Sequence, residues 1–352
     1  MQKMKSDWPE ARQRLIDWWA GKRTDRVVAL VTTPIVNIPP KSRCDTVPDM
    51  YTDAETVFSN LDATLSTTYY GGEAAPMHWV YLGTVPLGGY LGCPLHFTPS
   101  TVWQDQLYRS WDEVTEITFD PANRWYRLLG NLTRQSLLRA QGRYFVSGQG
   151  FGCVSDVIAN LWGTEATLLA MVETPEIIDR FTRQITEISL ACYDEIHALA
   201  APYQEGSFDW LYLWAPGRMW TLQSDLCCMI SPALFERFVL PELRREAEHV
   251  DHAFYHLDGP GAIRHLDMLL SIEALDGIQW VPGAGNSQDP LDWLQLFHRI
   301  QAAGKKLYIF TPPDRIRPLL DRIGREGVCL YTWAADRTEA NAVLKTLDEI
   351  GM

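Results

Sequence analysis

The segment HAFYHLDGPGAIRHLD, residues 252–267, carries a histidine and a carboxylate two positions apart. His256 and Asp258 end an apolar run, just before the turn Gly259-Pro260-Gly261. On an extended strand, residues i and i+2 point to the same side, so both polar groups would face one space. Two kinds of chemistry suit that arrangement. A divalent metal, such as a single zinc ion, takes an imidazole and a carboxylate as two of its ligands. Alternatively the pair works as acid and base, the carboxylate setting the tautomer of the imidazole. A strand end tied by hydrogen bonds to the next loop is the plainer reading; the clustering of His256, Asp258 and Gly259 favours chemistry.

The rest of the chain must position this pair. Short apolar runs at 26–34, 77–83, 142–150, 208–214, 252–258, 275–281, 305–310 and 327–333 read as strands. Helical spacing fills the gaps between most of them, as in SPALFERFVLPELRREAEHV (231–250), with Ser231 as N-cap and Pro232 at the first helical position. Strand–helix alternation implies parallel strands. The pattern predicts one α/β domain over 1–352, a (β/α)8 barrel with an N-terminal helix and an insertion at about 35–75 that forms a lid or an interface. A doubly wound open sheet is the competing arrangement.

A barrel carries its active site at the C-terminal ends of its strands. Asp209, Asp225, His256 and Asp258 are the candidate catalytic residues there, with His256 and Asp258 also the candidate metal ligands. Gln149, Trp210, Gln223, Gln279, Trp280 and Trp333 are the candidate substrate-binding residues. Fourteen tryptophans and fourteen tyrosines are mostly core, but those at strand ends would wall an apolar or ring-shaped ligand.

Composition narrows the partners. A net charge of −13 disfavours nucleic acid and anionic membranes, both of which need a basic footprint, and leaves a small-molecule substrate. No run of about 18 uncharged apolar residues exists to span a bilayer. Seven scattered cysteines without a C-x-x-C pair suit a reducing compartment, and the charged N-terminus lacks the apolar core of a signal peptide. A cytoplasmic location is the expectation.

Several stretches, in order, resemble the uroporphyrinogen decarboxylase superfamily, which includes corrinoid-dependent methyltransferases. They are DRVVALV, LWGTEATLLAMVETPEIIDRF, SDLCCMISPALFERFVLPEL and YHLDG. The resemblance implies a (β/α)8 barrel, frequent homodimers, and methyl transfer with a corrinoid on a partner protein or as substrate. Decarboxylation of a small acid without metal, or a non-catalytic binding barrel, are the alternatives. The decarboxylases' arginine-rich RQAGRY near the first strand has no counterpart there; the look-alike RAQGRYF lies at 139–145. The methyltransferases' His-x-Cys is matched at His256 but reads Asp258 where the cysteine would stand, and Cys329 does not align with their further ligand.

Overall fold

The computed structural model describes residues 5–35, 45–148 and 150–351. Its strands, in chain order, are β1 (Val28–Pro34), β2 (Thr68–Gly72), β3 (Met77–Trp79), β4 (Leu95–Phe97), β5 (Val102–Gln104) and β6 (Phe145–Ser147). They continue with β7 (Ser207–Phe208), β8 (Trp214–Ala215), β9 (Met219–Gln223), β10 (His252–Asp258), β11 (Leu275–Val281), β12 (Lys306–Phe310) and β13 (Val328–Trp333). The main sheet has the order β2-β1-β13-β12-β11-β10-β9. It is parallel except for β2, which runs antiparallel to β1. β3 and β6 form a separate parallel pair. At β6 the amide of Gln204 stands in for a neighbouring strand, accepting from Val146 N and donating to Val146 O, both at 2.9 Å. The chain is therefore α/β with a central, mostly parallel sheet, whose described ladders do not by themselves complete the expected ring of eight.

Alternation along the strands separates two apolar cores. Ala29 and Val31, Ala253, Tyr255 and Leu257, Leu307 and Ile309, and Val328 and Leu330 turn to the core that includes the connecting helices. Val28, Leu30, Phe254, Tyr308 and Cys329 turn to a second core. That inner core is filled by the N-terminal helix Trp8–Trp19, through Trp8, Leu15, Trp18 and Trp19, and by Phe208, Leu211, Leu213 and Trp214. Period two in the strands thus assigns each residue a face.

Two expectations are corrected here. The run 208–214 is not a strand: only its ends pair, as β7 and β8, and Tyr212 between them has φ 60°. Its apolar residues are buried because the segment fills the inner core, and the strand beside β10 is β9 instead. Helix 231–250 breaks into Pro232–Phe238 and Leu240–Glu248, because Pro241 has no N–H to continue the ladder. Ser231 does cap the first piece, accepting from Leu234 N at 3.3 Å. The insertion contributes the helices Asp49–Thr52 and Ala54–Thr67, whereas 36–44 lie outside the described residues.

Candidate functional site

The register of the parallel strands sets the first row of the site. Gln223 of β9, His256 of β10 and Gln279 of β11 are direct neighbours across the sheet, and all three share the inner face. Phe254 lies two residues before His256 on the same face and belongs to the inner core; Asp258 lies two residues after. As the strands leave the inner core, that face changes from apolar to polar.

His256 is held from two sides. Its Nδ1 donates a hydrogen bond to Gln279 Oε1, which leaves Nε2 as the acceptor nitrogen. The edge of its ring meets Trp210, with centroids 5.1 Å apart and planes at 75°. Gln279 is itself buried, so the orientation of the imidazole is fixed by a side chain with little freedom.

A cavity of about 740 Å³ opens onto this row. Gln223, Asp225, His256 and Asp258 line it from the strand ends, with Trp210 and Tyr212 from the β7–β8 segment. The i, i+2 expectation for His256 and Asp258 is met, since both face the one cavity. Across from them, Met77, His78, Trp79 and Tyr81 descend from β3 and its continuation. Tyr51, Leu61 and Thr64 on the insertion helices complete the wall, so the insertion is part of the site.

Burial decides the electrostatics. The carboxyl of Asp225 is pushed up, first by desolvation and then by nearby Asp258, while His256 pulls it down. Asp156, buried in the first turn of the helix Val154–Trp162, accepts from Asp225 N at 2.9 Å and Leu226 N at 2.8 Å. It therefore clamps the loop that presents Asp225, and burial with the Asp225 charge raises it to about 7. His78, whose Nδ1 lies 2.7 Å from Ser136 Oγ, is held down at about 4 by burial and is neutral at physiological pH.

Other sequence candidates fall elsewhere. Asp209 is fully buried behind the cavity wall and accepts from Thr221 N; desolvation raises it to about 7. Trp280 turns to the opposite face from Gln279 and packs on Trp293 at 4.8 Å, as one step along a strand requires. Trp333 ends β13 59% exposed and outside the lining of the cavity. Gln149 lies outside the described residues. Sequence reading missed Trp79 and Tyr81, although MHWVYLG carries the same i, i+2 signal as HLD. It also missed Asp156, Tyr212 and the insertion's share of the wall, for which no local pattern gives a sign.

The donors do not fit the expected zinc site. Among the described residues, no group of three or more His, Cys, Asp or Glu side chains is arranged to hold a metal ion. Asp225 lines the cavity beside His256 and Asp258, but the described side chains are not arranged as a metal-holding group. Cys228, nearby in the fold, has its thiol pushed up by burial and by Asp225.

No protein-family model and no curated protein matches the sequence. The fold does have a counterpart: it is similar to a solved structure, a methyltransferase from Methanosarcina mazei, with a TM-score of 0.64. The match covers 96% of this chain and 98% of the other at 13% sequence identity.

Proposed function

We propose that the chain is a (β/α)8-barrel methyltransferase of the uroporphyrinogen decarboxylase type. In this reading it moves a methyl group between a small molecule in the cavity and a corrinoid or related methyl carrier. The observation that carries the reading is the oriented imidazole of His256, facing a cavity at the strand ends of a fold similar to that of a methyltransferase. In one direction, Nε2 takes the proton from a heteroatom of the bound molecule. That atom's electron pair forms the bond to the methyl carbon, and the carrier keeps the pair of the bond that breaks. In reverse, the same nitrogen returns the proton. Gln279 keeps Nδ1 protonated, so that Nε2 is the basic nitrogen throughout. No step runs through zinc.

Carboxy-lyase chemistry is served less well by this cavity. Among the described residues no lysine or arginine lines it, so a substrate carboxylate would find no cationic partner. The test is methyl transfer from methylcobalamin to 2-mercaptoethanol, followed by the loss of the alkylcobalamin absorbance. The reading predicts acceleration over the uncatalysed rate, without added metal. No acceleration, with decarboxylation of small acids by the same protein, would replace it.

A further inference from the structure

We propose that the cavity takes a cationic, N-methylated ammonium compound as the methyl donor. The proposal rests on the methyl-transfer reading and names its substrate class. It follows from the composition of the walls. Trp79 and Trp210 lie with centroids 6.3 Å apart and planes at 26°, and Trp79 meets Tyr81 edge-on at 4.7 Å. Tyr51 and Tyr212 extend the same aromatic lining. The Tyr51 hydroxyl donates to Thr98 O at 2.9 Å and the Tyr81 hydroxyl pairs with Thr101 Oγ1 at 2.7 Å. Both hydroxyls already have protein partners, so these residues offer the cavity rings more than hydroxyls.

Charge gives the second, independent line. Asp225 and Asp258 line the cavity, and among the described residues no lysine or arginine does. A carboxylate or phosphate substrate would meet repulsion there. A neutral one would leave both carboxylates without a partner on the ligand. A quaternary ammonium fits both features, because its methyl groups carry the positive charge onto aromatic faces and toward the carboxylates, and it needs no hydrogen-bond donor from the wall. His78 lines the same space as a neutral imidazole, and so does not oppose the cation.

Transfer from such a donor balances simply. The bond from nitrogen to the methyl carbon breaks, and both electrons stay on nitrogen, which becomes a neutral amine. The methyl carbon bonds to an electron pair of the reduced corrinoid-type carrier named above. The amine then takes the proton that Nε2 of His256 returns, as in the reverse direction above, and leaves as an ammonium with one methyl group fewer.

The experiment is calorimetric titration with choline and with its uncharged carbon isostere, 3,3-dimethylbutan-1-ol. Choline is expected to bind at least about tenfold tighter than the isostere. Asp225→Asn should weaken choline by about tenfold and leave the isostere unchanged. Trp210→Ala should weaken choline, and Trp210→Phe, which keeps a ring and guards against misfolding, should restore most of it. Equal affinity for the two compounds, or an undiminished choline affinity in Asp225→Asn and Trp210→Ala, would overturn the proposal. Binding is read at equilibrium without a carrier, so its failure is separate from a failure of methyl transfer from methylcobalamin to a thiol.

Discussion

The imidazole of His256 owes its usefulness to a neighbour one strand away. Gln279 stands directly opposite it in the register and holds Nδ1, so replacing Gln279 with leucine should leave the ring in place but free to turn. Gln279→Leu is expected to lower kcat by about 10–100-fold with little change in Tm, measured by steady-state kinetics and thermal melting. Asp209 makes a different prediction. Its folded pKa, about 7, lies above the ordinary carboxylate value, so between about 4 and 7 the folded state binds more protons than the unfolded one. Stability from this group is therefore present at low pH and declines as pH rises through that window. Asp209→Asn should remove the decline and raise stability at pH 8 by about 1–3 kcal/mol, with little gain at pH 4. A larger gain at pH 4 would contradict the burial argument. At this scale the sequence was legible where spacing carries direction, as in His256 and Asp258. It misled at Trp280, one residue out of phase with Gln279, and at Asp209, where nothing in the sequence distinguishes a buried carboxylate from a reactive one.

Between elements, the inner core explains both the fold's stability and the misread strand. The run FDWLYLW is as apolar as a strand because it is packed between the sheet and the N-terminal helix; Trp19 Nε1 donates to Trp214 O at 2.9 Å, in the interior. Burial alone cannot tell a strand from a segment that fills a sheet's inner face, which is why β9 went unrecognised. Gly277 on β11 shows how tight this core is. A Cβ there would stand 2.5 Å from Phe254 Cζ and 2.6 Å from Lys306 O, one of them backbone. Gly277→Ala should therefore lower stability by about 1–3 kcal/mol, read from urea melts, even though alanine is a better strand residue. Glu73 ties the same layers together. Its buried carboxylate accepts from Arg26 Nη2 and Ala29 N, both at 2.8 Å, and from Arg14 of the N-terminal helix at 2.5 Å. Glu73→Gln removes the buried anion the two guanidiniums share, leaving Arg14 to Asp25 and Arg26 to Asp348, and should cost about 1–3 kcal/mol.

In the whole molecule, the cavity is a joint product of parts far apart in sequence. Strand ends from 223 to 258 supply the polar row, β3 and Tyr81 an aromatic wall, and the insertion helices the remaining side. The α/β class and the alternation of strand and helix follow from local patterns that one can read along the chain. The association of residues near 51, 79, 210 and 256 does not, because it depends on how the layers stack. The protein's overall negative charge says little about the site; what matters is the local absence, among the described residues, of lysine and arginine from the cavity lining. The central claim is that His256 handles the proton in methyl transfer. Its most direct test is single-turnover transfer from methylcobalamin to 2-mercaptoethanol, comparing wild type with His256→Ala in the presence and absence of free imidazole. The account predicts a fall of about 10²–10⁴-fold in the variant, partly recovered by imidazole. A variant that transfers the methyl group at the wild-type rate would contradict it.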